Sequence, residues 1–195
     1  MSLKGVRIGF AVTGSHCTLG EIVAEIRRLV DFGAVVTPIV SPSVRCMDTR
    51  FGEAVFWLEE LRKETGIEPI KTITEAEPVG PEGVFDIMVI APCTGNTLAK
   101  LANGITDTPV LMAAKAHLRN CRPLVIGIST NDGLSINARN IGLVLNMKNI
   151  YFIPFGQDSP NNKINSLVAH MHLIPETLSE ALCGKQIQPV LREYA

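Results

Sequence analysis

The sequence predicts an α/β protein with a Rossmann-like, three-layer architecture and a mainly parallel sheet, and three observations carry that expectation. Apolar runs of strand length recur along the chain, most of them separated by segments with helical periodicity. Hydrophobic residues make up 46% of the chain but aromatics only 5%, so the core has to be built from Val, Ile, Leu and Ala, as in strands buried on both faces. The 195 residues suffice for an autonomous core, and no repeat, low-complexity tract or linker divides them, so one domain over 1–195 is expected.

The first strand is read at Val6–Val12 and the second at Ala34–Val40. Between them Leu19, Ile22, Val23, Ile26, Leu29 and Val30 share one helical face, and Gly33 stands where a helix ends. Phe51, Val55, Leu58 and Leu61 suggest a helix closing near Gly66, and Ile67–Ile70 a short third strand. Glu75–Gly83, rich in proline, glycine and acids, reads as a surface loop. Ile87–Ala91 is the fourth strand, followed by a helix carrying Leu98, Leu101, Ala102 and Ile105. A further helix spans Pro109–Leu118, with Pro109 suited to its first turn. Strands at Pro123–Ser129 and Ile150–Pro154 follow, then a helix through Ile164, Leu167, Val168 and Met171, and a second helical piece from Pro175 to Gly184.

Composition narrows the function classes. The formal net charge is −1 and no basic block could neutralise several phosphates, which argues against nucleic acid as a partner. The five cysteines are scattered without a C-x-x-C pair, as expected of a reduced, cytoplasmic protein rather than a disulfide framework or zinc site. The first apolar run is too short to span a membrane. His170 and His172, two apart on an expected helix, would face different ways and make a poor metal pair, so no metal is expected.

In open α/β sheets ligands bind beyond the carboxyl ends of the strands. The first strand runs into Thr13-Gly14-Ser15-His16 directly before a helix. Gly14 permits a tight turn and close backbone approach, Ser15 offers a hydroxyl, and free N–H groups at the helix start suit an anion such as phosphate. Ordinary strand-to-helix turns carry the same residues. A dinucleotide fingerprint would need more glycines there and an acid after the second strand, which ends instead in Ser41-Pro42-Ser43. A mononucleotide is favoured over NAD. The fourth strand then delivers Pro92-Cys93-Thr94-Gly95-Asn96-Thr97 into a second helix start, so two such termini could converge on one ligand.

That run, continued by Leu98-Ala99-Lys100-Leu101-Ala102-Asn103-Gly104-Ile105, resembles the Pro-x-Ser-Ala-Asn-Thr motif of the homo-oligomeric flavin-containing cysteine decarboxylases. The likeness covers Val6–Val40 and Ile87 to about Ile153. It implies FMN, or a phosphate in its place, held by Gly14, Ser15, Ser41, Thr94, Asn96 and Thr97. It also implies a homo-oligomer. A narrower likeness within this group implies a redox role on a small molecule, shared with a partner subunit that carries NAD(P).

The departures concern the chemistry. The decarboxylases use a His after the second strand, yet no His stands between His16 and His117. Ile128-Ser129-Thr130-Asn131 stands where their Pro-x-Met-Asn motif belongs, and only Asn131 matches. His16, kept neutral by the helix start beside it, becomes the candidate for handling a proton and Asn131 the candidate for orienting substrate. Cys17 and Cys93 read as small buried residues, and Arg45, Arg50 and Arg139 as surface cations on the ligand side.

Overall fold

A computed structural model describes residues 3–194. Its centre is a sheet of seven strands in the order β2-β1-β3-β4-β7-β6, with β5 also paired to β4. The strands are β1 (Arg7–Val12), β2 (Val35–Val40), β3 (Ile87–Cys93), β4 (Leu124–Thr130), β5 (Ile150–Phe152), β6 (Phe155–Gly156) and β7 (Leu167–Ala169). β1 pairs in parallel with β2 and β3, and β4 in parallel with β3 and β5. The Rossmann-like α/β architecture and mainly parallel sheet are therefore present.

The helices are α1 (Leu19–Asp31), α2 (Pro42–Cys46), α3 (Ala54–Thr65), α4 (Ile73–Ala76), α5 (Gly95–Ala102), α6 (Pro109–Arg119), α7 (Ala138–Leu145) and α8 (Ile174–Leu182). α1 packs against α3 and α8, while α6 contacts β2, β3 and β4, and α5 lies against α6 and α7. Every residue of β3 is buried, as its unbroken apolar run requires of a central strand covered on both faces. The burial of Ile22, Ile26 and Leu29 on α1 matches the face read from their spacing.

Phe51 and Ile105 lie just outside the helices read through them, α3 and α5, and three further segments depart from expectation. The segment read as a helix through Ile164–Met171 contains β7 instead, antiparallel to β4 (Ser129↔Val168, Thr130↔Leu167) and to β6. Leu167 and Ala169 are buried while Val168 between them is half-buried. That period-two burial prevails over a helical spacing that involves few residues. His170 and His172 consequently lie after a strand, at a 3-10 turn (Met171–Leu173), with their rings edge to face at 5.9 Å.

Ile67–Ile70 does not form a strand: only Ile70 bridges to Ile39. Pro69 has no N–H to extend the ladder. Glu75–Gly83 is not wholly loop, because Thr72 and Glu75 form a reciprocal capping box that starts α4, and a 3-10 turn follows at Glu77–Val79.

The chain visits β2 on one side of β1 and β3 on the other, so the sheet reverses direction of growth between β1 and β3. Such a switch point opens a crevice at the carboxyl ends, where the segments after β1, β2 and β3 meet.

Candidate functional site

Those segments are bonded to one another through buried polar groups. Thr13, 1% exposed, donates its hydroxyl to the Pro92 carbonyl oxygen at 2.6 Å and accepts from the Thr94 amide at 3.0 Å. The Ser41 amide donates to the Val12 carbonyl at 3.0 Å. The carboxyl ends of β1, β2 and β3 are thereby held as a unit, with few free polar groups left behind.

Three helices start here, each capped by a hydroxyl. Ser41 Oγ accepts from Val44 N, Thr94 Oγ1 from Thr97 N, and Thr108 Oγ1 from Leu111 N, at the starts of α2, α5 and α6 respectively. Capping satisfies one first-turn donor per helix and leaves others free of intrahelical partners, Gly95 and Asn96 N–H on α5 among them. These caps surround a cavity of about 390 Å³.

Gly14, Ser41, Thr94, Asn96 and Thr97 all line this cavity, so five of the six residues expected to hold the cofactor are brought together. Ser15 is not: its hydroxyl pairs with Ser129 Oγ at 2.8 Å, across to β4. Ser43, Lys100 and Thr108 also line it, and the sequence reading gives them no role. Lys100 follows Asn96 by one helical turn, a spacing that signals a shared face. Its Nζ also pairs with Asp107 Oδ2 at 2.7 Å. Among the described residues, Lys100 is the charged side chain on the cavity wall.

Gly14 is required by space. A Cβ there would come within 2.5 Å of Ser43 Oγ and 3.0 Å of Ser43 Cβ, so the two loops approach by virtue of the missing side chain. Gly95 is required likewise, since a Cβ would meet Asn137 Nδ2 at 2.5 Å, Thr130 Oγ1 at 2.6 Å and Asp132 Oδ1 at 2.8 Å. Free helix N–H groups, hydroxyls, a carboxamide and an ammonium around a glycine-lined hollow fit the phosphate and polyol of FMN.

His16 lies in the 3-10 turn (His16–Thr18) that leads into α1. Burial lowers its pKa by desolvation, which favours the neutral imidazole. Its Nδ1 is buried with no hydrogen-bond partner, and its Nε2 lies on the Gly14 side, 3.5 Å from where a Gly14 Cβ would stand. Asn131 follows β4 and is exposed, outside the cavity lining. The turn it opens is held by Asp132, which accepts from Thr130 and Asn137 and has its pKa lowered by those bonds.

The cysteines divide. Cys93 is buried, and burial pushes its thiol up to about 12, whereas Cys17 is exposed, contrary to expectation, in a 3-10 turn that buries none of its residues. Arg45 donates to the Lys71 carbonyl and Arg50 lies over the Phe51 ring at 4.8 Å, so both are engaged locally. No helix among the described residues is long and apolar enough to cross a membrane.

Residues 1–174 match the family model described as Flavoprotein. The chain is 54% identical over 192 residues to the B subunit of dipicolinate synthase of Bacillus subtilis, covering 98% of this chain and 96% of the relative. The crystal structure of the dipicolinate synthase B subunit from Bacillus halodurans superposes with a TM-score of 0.92 at 51% identity, covering 100% of both chains. Burkholderia xenovorans DmrB, crystallised with FMN as a cubic cage for redox transfer, shares the fold at a TM-score of 0.69 and 22% identity, over 92% of this chain and 96% of that one. With a family model spanning most of its length and these near full-length relatives, the chain belongs to the flavoprotein family and, within it, resembles the B subunits of dipicolinate synthase.

Proposed function

We propose that this chain is the B subunit of a dipicolinate synthase, a single flavoprotein-like domain that acts with a nicotinamide-dependent A subunit in the cytoplasm of the mother cell of a sporulating bacterium. Its near full-length likeness to the Bacillus subtilis protein supports the reading. The observation that carries the site is the convergence of three capped helix starts, Gly14 and Lys100 on one cavity. The proposed ligand is FMN, or a phosphate occupying its place, with NAD(P) on the partner.

The substrate is a dihydrodipicolinate or hydroxytetrahydrodipicolinate precursor. The hydroxylated form loses water, and the ring then loses a hydride and a proton to become dipicolinate. Either FMN bound in this cavity or the nicotinamide of the A subunit would supply the two-electron acceptor for that hydride. The first-turn N–H groups of α5 at Gly95 and Asn96, with Lys100 Nζ, would hold the phosphate of FMN, and Ser41, Thr94 and Thr97 would meet its ribityl oxygens. His16, whose Nε2 lies on the Gly14 side, takes the ring proton, and the carboxamide of Asn131 orients a substrate carboxylate. A homo-oligomer is part of the proposal.

Purified subunits mixed with precursor and nicotinamide test it. Dipicolinate forms at full rate only when both subunits are present, and full activity from the A subunit alone would sink the reading.

A second reading is a non-catalytic binding or scaffold role with a vestigial FMN site. It is favoured by the Ser15 hydroxyl, which is spent on Ser129, and by the missing decarboxylase His. Purified protein that lacks flavin absorbance and takes up no added FMN supports it. An FMN-dependent decarboxylase would require carbon dioxide release from a cysteine-ended substrate.

A further inference from the structure

From the end of β4, through the loop that follows, into α7 runs a polar chain that neither the cofactor nor the proposed reaction uses. Asn140, 4% exposed, donates from Nδ2 to Asn137 Oδ1 at 2.8 Å. Asn137, 5% exposed, donates from Nδ2 to both carboxylate oxygens of Asp132 at 3.0 Å. Thr130 Oγ1 donates to the same carboxylate. The direction of this chain is fixed from end to end, because Asn137 Oδ1 is committed to Asn140 and only its amide hydrogens are left for position 132.

All three groups at the carboxylate end press on one point, the bare Cα of Gly95, the first residue of α5. Thr94 to Asn96 therefore lie between two polar layers: Thr13 holds the Thr94 amide from the β1 side, and the Asp132 cluster backs Gly95 from the β4 side.

We propose that Asp132 is a positioning residue for the anion site: through Thr130 and Asn137 it seats the β4–α7 loop on Gly95 and so fixes the direction in which the first turn of α5 presents its N–H groups to the cavity. The proposal rests on the reading of that cavity as an FMN or phosphate site.

The carboxylate makes the sign of the test informative. Asp132 is a negative charge at the start of α5, where it competes electrostatically with a phosphate. If charge were its only influence, Asp132→Asn would tighten anion binding. Positioning predicts the opposite, because the carboxamide offers one acceptor oxygen where the carboxylate offers two and places an NH2 against the NH2 of Asn137.

The experiment has two arms. Hydrogen–deuterium exchange on the ligand-free protein follows the peptide over residues 94–100, with residues 19–31 of α1 as control. FMN binding is titrated by flavin absorbance and fluorescence, with inorganic phosphate as competitor. D132N is expected to speed exchange over 94–100 with the control unchanged, and to weaken FMN about tenfold. The exchanged pair D132N/N137D moves the carboxylate to position 137, where it accepts from the carboxamides at positions 132 and 140, and is expected to restore both readouts. Tighter FMN binding in D132N, or unchanged exchange over 94–100, overturns the proposal. Equal acceleration in the control peptide also overturns it, since the carboxylate would then only stabilise the fold. Wild-type protein that binds neither FMN nor phosphate refutes the cofactor reading instead, and the exchange arm still decides whether Asp132 seats α5.

Discussion

The Thr13 hydroxyl donates to the Pro92 carbonyl oxygen at 2.6 Å, spanning 79 residues of sequence to tie the end of β1 to the end of β3. Its own oxygen accepts from the Thr94 amide, so one buried hydroxyl sets the spacing of two ligand loops. Thr13→Val is isosteric but leaves Pro92 O and Thr94 N unpaired. It is expected to cost about 1–3 kcal/mol in urea unfolding and to weaken FMN binding, while Thr13→Ser keeps most of both. Equal stability of the valine variant and wild type contradicts this.

Gly14 tests whether the cavity is the binding site. Its missing Cβ is what lets Ser43 approach, so Gly14→Ala forces the two loops apart or fills the hollow. FMN affinity is expected to fall at least about tenfold. Gly14→Ala combined with Ser43→Gly removes the opposing side chain and recovers much of the loss in the same titration. Affinity that ignores Gly14→Ala would place the cofactor elsewhere.

Lys100 separates binding from stability. Its pair with Asp107 is partly solvated, with the aspartate 53% exposed, so Lys100→Met is expected to change the melting temperature little. It removes the cation from the cavity wall, so affinity for FMN or phosphate drops and becomes less sensitive to salt. A salt dependence identical to wild type counts against its role.

His117 gives a pH signature of the fold. It is 1% exposed, its Nε2 donates to the Pro123 carbonyl at 3.0 Å, and burial pushes its pKa down to about 4. The unfolded state binds the proton more readily, so stability rises with pH between about 4 and 6.5 and is lost as pH falls through that window. The contribution of this residue across the window is about 3 kcal/mol. Denaturant titrations between pH 4 and 7 are expected to show a flatter profile for His117→Gln than for wild type.

The regular half of the molecule is legible in the sequence because burial there is periodic. α1 shows one apolar face, and β1, β3 and β4 each carry a buried, mainly apolar run. β7 is not legible, because it is three residues long and its partner Ser129–Thr130 lies far away in sequence. α7, which begins at Ala138, is not legible either, because Asn137 and Asn140 interrupt its apolar face and are buried by bonding one another.

The site divides in the same way. Gly14, Ser41, Thr94, Asn96 and Thr97 stand out because each sits where a strand gives way to a helix, which is a local signal. Ser15 has the same local signal, yet its hydroxyl faces Ser129, 114 residues on, and no reading of the turn alone shows that. Lys100 lies within the motif that carries the family likeness, and its distance of one turn from Asn96 is the clue to its place on the cavity wall.

Two edges of the sheet are partly covered by neighbouring chain. On one side Ile70 bridges β2 by donating to the Pro38 carbonyl and accepting from Val40 N, with Pro69 beside it. On the other, the segment Val190–Arg192 bonds to Phe155 on both its amide and its carbonyl. At these two points the backbone groups are already paired, so a foreign strand finds less to copy there. A partly unfolded chain that sheds either cover would bare those groups and become more prone to aggregate.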